Sequence, residues 1–373
     1  MEADMTLGSF TPCLLIGLLA MPVAGFAQDK PVDVGFEGLV EVTEVLIDVL
    51  ATDKSGNVLT GLGKDDFIVE EDGEPVDVTG VSFYTTRYGP EGDLLAEDGA
   101  IPSSRYFVFF FHDQSRGGDS LSSRLLRQQL DASRQSQRWI DEEMLPSDWV
   151  AVVSYDVKLK IHEDFTQDRQ AIRDAIDGAV RRKDPEKYVG RHGREIPPSG
   201  APSLLRELPQ GKELRKKTGR VYDGIRLVAE ATGYIVGRKN LMLFSIGFGE
   251  FRVNSLFPQA DPRYYPPMVQ ALNDHNVAVY PIDLMPREIE HSQSHFLAQL
   301  ANETGGRFYE NFVNFITPLQ QISEENAGYY LLSYQAQHPA ADSGFQEVTV
   351  RARDKSINVR ARKGYRFGLE RDS

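Results

Sequence analysis

The sequence predicts an α/β protein. A doubly wound, Rossmann-like domain with a mainly parallel sheet is inserted in a small β-sandwich built from the N- and C-terminal segments. Three observations predict it. Between residues 105 and 327, short apolar runs alternate with amphipathic stretches of helix length, the pattern of strands joined by crossover helices. Outside that span, residues 39–84 and 328–365 carry only strand-like segments separated by Gly, Asp and Ser turns. Each flank has only about 50 residues and no disulfide, too little to bury a core alone, so the two are expected to pair.

The elements follow in order. Val40, Val42, Val45, Ile47 and Val49 recur mostly at alternate positions, and Phe67–Val69 and Val76–Phe83 are further strands. Lys54–Asn57 and Glu71–Glu74 are turn signals. Residues 28–87 thus form the first half of the sandwich, and 88–104, rich in Gly, Pro and acidic residues, a linker. The inserted domain, 105–327, opens with the continuous apolar run Tyr106–Phe111, which suits a strand buried on both faces. A helix over Leu121–Glu143 places Leu125, Leu126, Leu130, Trp139 and Ile140 on one side. Strands at Trp149–Val153 and Lys158–His162 precede a helix capped by Asp168. Then come helix Val221–Ala231, strand Leu241–Ile246, helix Pro266–Asn276, strand Val277–Ile282, and helix His295–Thr304, which Gly305-Gly306 ends. Arg307–Tyr309 is a last short strand of this domain. Residues 328–373 close the sandwich with strands at Tyr329–Tyr334, Glu347–Arg353 and Ile357–Tyr365.

The 373 residues carry 41 Lys plus Arg against 55 Asp plus Glu, a formal charge of −14, which argues against nucleic acid as the main partner. The single cysteine, Cys13, excludes an intrachain disulfide and a Cys-based zinc site. Residues 13–27 are apolar, broken by Pro22, and end in small residues, so 1–27 reads as a signal peptide and the protein as exported, periplasmic or secreted. Residues 1–12 hold Glu2 and Asp4 but no Lys or Arg, which leaves Met5 as a second candidate start and a buried or membrane-tethering segment as the alternative. No later segment approaches 18 apolar residues, so no span is expected in the mature chain. Residues 181–217 hold 11 Lys plus Arg against 5 Asp plus Glu, a net +6 inside an acidic chain. A loop of this length is either functional or a solvated insertion.

The most informative stretch is His112-Asp113-Gln114-Ser115 at the carboxyl end of the first inserted strand. Two oxygens two residues apart can point into one loop, which is how a hard cation is held. Together with Asp148–Tyr155, Asp164–Arg169, Tyr222–Ile225, Val279–Asp283, Glu303–Tyr309, Tyr329–Tyr334 and Val359–Tyr365, the chain from about Glu41 to Phe367 resembles the von Willebrand factor type A (VWA) proteins, in particular the VWA-related family of Acidobacteria. The resemblance implies a VWA domain in an exported protein, with a metal-ion-dependent adhesion site opened by Asp113 and Ser115. The family pattern asks for further ligands where this chain has Gly117, Gly219 (beside Thr218) and Ile246, so the implied metal site is degenerate. Two oxygens would leave Mg²⁺ holding mostly water. The candidate ligand-binding residues are therefore Asp113, Ser115, Thr218 and Asp283, of which Asp113 and Ser115 form the metal pair. No cofactor is expected, with Mg²⁺ as the alternative.

Other motifs carry less. His291 and His295 read as surface histidines, because the Glu of the zinc-protease motif is missing between them. Gly247–Arg252 lacks the third glycine of a dinucleotide loop, and neither a Gly-x-Ser-x-Gly elbow nor a Walker A motif occurs. Asp223 and Asp283 read as caps, although Asp283, ending a strand, belongs on the edge where such sheets bind ligands. The expected function is a non-enzymatic binding module with a protein partner. A Mg²⁺-dependent version and an envelope hydrolase are the alternatives.

Overall fold

The computed structural model describes residues 44–86, 101–114, 120–185, 200–248, 260–289, 291, 293–336 and 344–367. The expected signal peptide, most of the linker, the middle of the basic loop and Ser115 lie outside the described residues. The described residues all belong to one compact unit.

Strands from both flanks interleave. In one sheet, β1 (Glu44–Thr52) lies between β11 (Gly328–Gln335) and β13 (Asn358–Ala361), antiparallel to each. β11 also pairs antiparallel with β4 (Val78–Thr85), which carries the two-residue β5 (Ile101–Pro102) on its far side. In the facing sheet, β12 (Gly344–Ala352) lies between β14 (Gly364–Phe367) and β2 (Phe67–Glu71). β2 turns into β3 (Glu74–Val76) through Asp72-Gly73, both at positive φ (48° and 86°), the turn whose twist matches the flanking strands. Ile47, Val49, Phe67, Val69, Tyr330, Leu332, Tyr334 and Val348 fill the space between the sheets, so segments some 280 residues apart in sequence share one core.

Between β5 and β11 the chain builds the second layer system. Its sheet runs β10 (Val277–Asp283), β9 (Lys239–Ser245), β6 (Tyr106–His112), β7 (Trp149–Tyr155), β8 (Leu159–Thr166). The first four are mutually parallel, and numbered within the domain the order is 3-2-1-4-5, that of a doubly wound fold. β8 reverses and pairs antiparallel with β7, joined by a three-residue turn that allows no crossover. The expected last strand at 307–309 is reduced to one parallel bridge between Tyr309 and Ile282.

The apolar run of β6 is continuous because it is covered twice. Phe107, Phe109 and Phe111 face Trp139 and Ile140 of α1 (Ser120–Glu142), Ile172 and Ile176 of α2 (Arg169–Val180), and Leu319 and Ile322 of α7 (Ile316–Glu325). Val108 and Phe110 face Ile225 and Val228 of α4 (Val221–Ala231), Met268 and Leu272 of α5 (Tyr265–Asp274), and Leu297 and Leu300 of α6 (Ser294–Glu303). The expected Asp168 cap is present, its carboxylate accepting from the N–H groups of Gln170 and Ala171. Asp223 is not a cap: Arg220 holds that position, and Asp223 sits in the first turn of α4. Two helices were not anticipated, α3 (Gly211–Lys217), inside the basic loop, and α7. Among the described residues, no helix is long and apolar enough to cross a membrane.

Candidate functional site at the carboxyl edge of the parallel sheet

The strand order brings the carboxyl ends of β10, β9, β6 and β7 side by side. Asp283 is in register with Ser245, and His112 with Tyr155. The Ser245 hydroxyl lies 2.9 Å from His112 Nδ1, which stitches β9 to β6 across the row. Gln114 extends the stitch: its amide nitrogen donates to the Gly247 carbonyl at 2.6 Å, and its carbonyl accepts from the Ile246 N–H at 3.0 Å and the Ser245 hydroxyl at 3.2 Å.

Asp113 is 7% exposed, and its backbone N–H donates to the Tyr155 carbonyl at 2.8 Å, fixing it over β7. Its Oδ1 accepts from Gln129 of α1 at 3.3 Å and from Arg182 Nη2 at 3.2 Å, and its Oδ2 pairs with Arg182 Nε. Arg182 lies just beyond the end of α2, within the basic loop.

Asp283 is equally buried at 7%. Its Oδ1 accepts from the Met285 N–H at 2.9 Å, and its Oδ2 meets His291 Nε2 at 2.8 Å. The expectation of surface histidines is thereby corrected for His291, whose side chain is mostly buried against Asp283, and holds for His295, which is exposed. Thr218 lies behind the row rather than in it. It is fully buried, its hydroxyl donating to the Leu214 carbonyl and accepting from the Leu159 N–H, while its own carbonyl accepts from the Tyr155 hydroxyl. Burial, with Asp223 and Asp156 nearby, pushes that phenol up to about 12.

The donor set among the described residues does not suit a divalent ion. Mg²⁺ needs six oxygens in near-octahedral array. Among the described residues no three His, Asp or Glu side chains come together as a cage. The one carboxylate of the expected metal pair that is described already pairs with a guanidinium. Ser115 and Gly117 lie outside the described residues.

His112 in the row and His162 on β8 are both buried imidazoles. Burial holds His112 down to about 4, against a smaller opposing effect of Asp113. His162, 2.8 Å from the Ser154 hydroxyl, is likewise held at about 4 by burial and by the Lys160 charge. Both are neutral at pH 7 in the folded chain and mostly so in the unfolded one. Between the ordinary value of about 6.5 and about 4, the unfolded chain takes up protons that the folded chain refuses, so stability falls as pH falls through that window. At about 1.4 kcal/mol per unit, His162 alone removes roughly 3 kcal/mol by pH 4. Urea unfolding of wild type and His162→Gln at pH 7.5, 5.5 and 4.5 checks this. The variant is expected to lose close to one proton's worth of slope, and an unchanged slope would refute the assignment.

No protein-family model matches the chain, and no match was found among curated proteins. Solved structures do show likeness. Proximal thread matrix protein 1 from the mussel byssus is 13% identical over 60% of this chain and 48% of its own, with a TM-score of 0.39, so the chain spans about half the length of that protein. BatB from Bacteroides thetaiotaomicron is 15% identical over 60% of this chain and 97% of its own, at 0.34. A von Willebrand factor type A protein from Catenulispora acidiphila is 11% identical over 85% of this chain and 76% of its own, at 0.39.

Proposed function

We propose that the chain is an exported, non-enzymatic binding module, periplasmic or secreted, whose VWA-type domain docks a protein partner on the carboxyl edge of its parallel sheet. The sandwich serves as its mount. One observation carries the reading: Asp283, Ser245, His112, Gln114 and Asp113 form a continuous row along that edge, each held by a named neighbour. These side chains are mostly buried, so they brace the edge rather than touch a partner, and an edge fixed before binding loses little freedom on association. Doubly wound sheets present ligands at this edge. Arg182, the second residue of the basic loop, lies there next to an otherwise acidic body, so the partner surface suited to the loop is acidic. Docking is independent of a divalent metal in this reading, since the Asp113 carboxylate is already paired.

A photo-crosslinking residue at Glu288, exposed just beyond the β10 end, is expected to capture a discrete protein adduct in the native envelope. The same residue placed at exposed Lys355 in the sandwich should not capture it. Equal capture from both positions, or from neither, would sink the docking-edge reading.

A further inference from the structure

The described end of the basic loop carries charge that the fold itself leaves unused. We infer that α3 is a display helix whose basic face, Lys212, Arg215 and Lys216, holds the carboxylates of a short acidic segment on a protein partner, which rests on the docking-edge reading and names the surface and chemistry that hold the partner there. Positions 212, 215 and 216 follow the i, i+3, i+4 spacing, so the three cations share one side of the helix. Glu213 and Lys217, four apart, pair with each other at 3.0 Å along a second side. Leu214, on a third side, packs against the core on the α4 face of the sheet. The basic face therefore points away from the protein.

On other helices of this acidic chain the cations are matched from within. Arg138 pairs with Glu142 on α1, Arg181 with Asp177 at the end of α2, and Arg226 with Glu230 on α4. Among the described residues, Lys212, Arg215 and Lys216 form no ion pair, and all three are exposed. α3 does not serve the core either, since none of its residues is buried. It is nonetheless anchored. Thr218, fully buried at its end, donates its hydroxyl to the Leu214 carbonyl at 2.8 Å and accepts from the Leu159 N–H at 3.3 Å, and its carbonyl accepts from the Tyr155 hydroxyl at 3.3 Å. Tyr155 ends β7 in register with His112, so the anchor fixes α3 beside the carboxyl edge. The next cation, Arg220, lies 4.1 Å over the ring of Tyr264 and stays exposed, which carries the positive surface on from the helix. Seven residues of helix span only about 10 Å. A nucleic acid or a sulfated polymer has closely spaced charge along its whole length and would run off this ridge onto a body that is acidic overall. A local cluster of Asp and Glu on a folded partner ends where the ridge ends.

A fluorescein-labelled peptide alternating Glu and Ser is titrated with the full-length chain and followed by anisotropy at about 20 mM NaCl, where surface charges are little screened. Wild type is expected to bind it saturably, with affinity that falls as salt rises. Lys212→Gln/Arg215→Gln/Lys216→Gln is expected to bind about tenfold more weakly. Its melting temperature should match wild type, because no buried contact is lost. Lys54→Gln/Lys64→Gln/Lys355→Gln, three exposed sandwich lysines with the same change in net charge, should bind as wild type does. No saturable binding by wild type, or equal affinities of the two triple variants, would overturn the inference. Tighter ridge-dependent binding of an equally charged oligodeoxythymidine than of the peptide would overturn it in favour of nucleic acid. The photo-crosslinking residue at position 288 keeps the two readings apart. Ridge-dependent peptide binding without capture there would sink the docking edge and leave the ridge, whereas capture undiminished in the ridge variant would sink the ridge and leave the edge.

Discussion

Replacing Arg105 by Met is expected to lower stability by about 3–5 kcal/mol, measured as a shift of the urea midpoint at pH 7. Arg105 is 5% exposed and Asp148 is fully buried. Besides the two bonds to Asp148, the Arg105 Nη1 donates to both the carbonyl and the hydroxyl of Ser323 at 2.8 Å. The single substitution leaves a buried carboxylate without its counter-charge and a Ser323 carbonyl without a donor. By contrast the exposed helical pair Arg138–Glu142 is screened by solvent and contributes little. The position also matters topologically. Arg105 lies where the chain enters the α/β domain ahead of β6, and Ser323 lies in α7 where the chain leaves it for β11. One guanidinium therefore clamps both crossings of the insertion. Arg105→Met/Asp148→Leu is expected to recover most of the loss, because an apolar pair of similar volume avoids the desolvation that the ions incur. A single variant within 1 kcal/mol of wild type would refute the clamp, and a double variant as damaged as the single would refute its electrostatic cause.

How much of this was legible depends on how local the physics is. The strands of the parallel sheet are readable because burial on both faces makes each a continuous apolar run, as in Phe107–Phe111. The direction of β8 is recorded in the loop rather than in the strand, since the few residues after β7 leave no room for a crossover and force an antiparallel pair. α3 escapes because none of its residues is buried, which leaves no apolar period to detect. α7 has Ile316, Leu319 and Ile322 at helical spacing, but Thr317 and Pro318 in its first turn resemble a loop. At the site, Asp113 is legible because its setting, the end of an apolar strand, is written in adjacent residues. Arg182 is 69 residues away and visible beforehand only as part of a net charge. The Asp283–His291 contact joins residues eight apart in sequence, a spacing that matches no regular period. Thr218 has the residue type a ligand needs, and its hydroxyl is spent on the end of α3.

The largest single-residue effect is expected at Gly306. A Cβ built there would lie 1.8 Å from the carbonyl oxygen of Val279 and 2.7 Å from its carbonyl carbon, both backbone atoms of β10, so no side chain can swing aside. Thr304–Tyr309 is wedged against β10 by several bonds: the Val279 N–H to the Thr304 hydroxyl at 3.0 Å, the Tyr309 N–H to the Pro281 carbonyl at 2.9 Å, and the Asp283 N–H to the Tyr309 carbonyl at 2.9 Å. Admitting a methyl group means lifting this segment off the strand. That severs those bonds and opens the core beside Tyr280 and Ile282, a cost of more than about 4 kcal/mol. Gly306→Ala should therefore be insoluble or melt roughly 5–10 °C lower. Gly219→Ala, with nothing within 4 Å and no positive φ, should stay within about 0.5 kcal/mol of wild type. A wild-type melting temperature for Gly306→Ala would show that β10 and the 304–309 segment are not in contact. Because the same segment bonds the backbone of Asp283, a soluble Gly306→Ala protein should also lose partner capture at position 288 before it loses the sandwich. The carboxyl edge of the sheet is held in place from beneath, by backbone packed against backbone, as much as by the polar row along its rim.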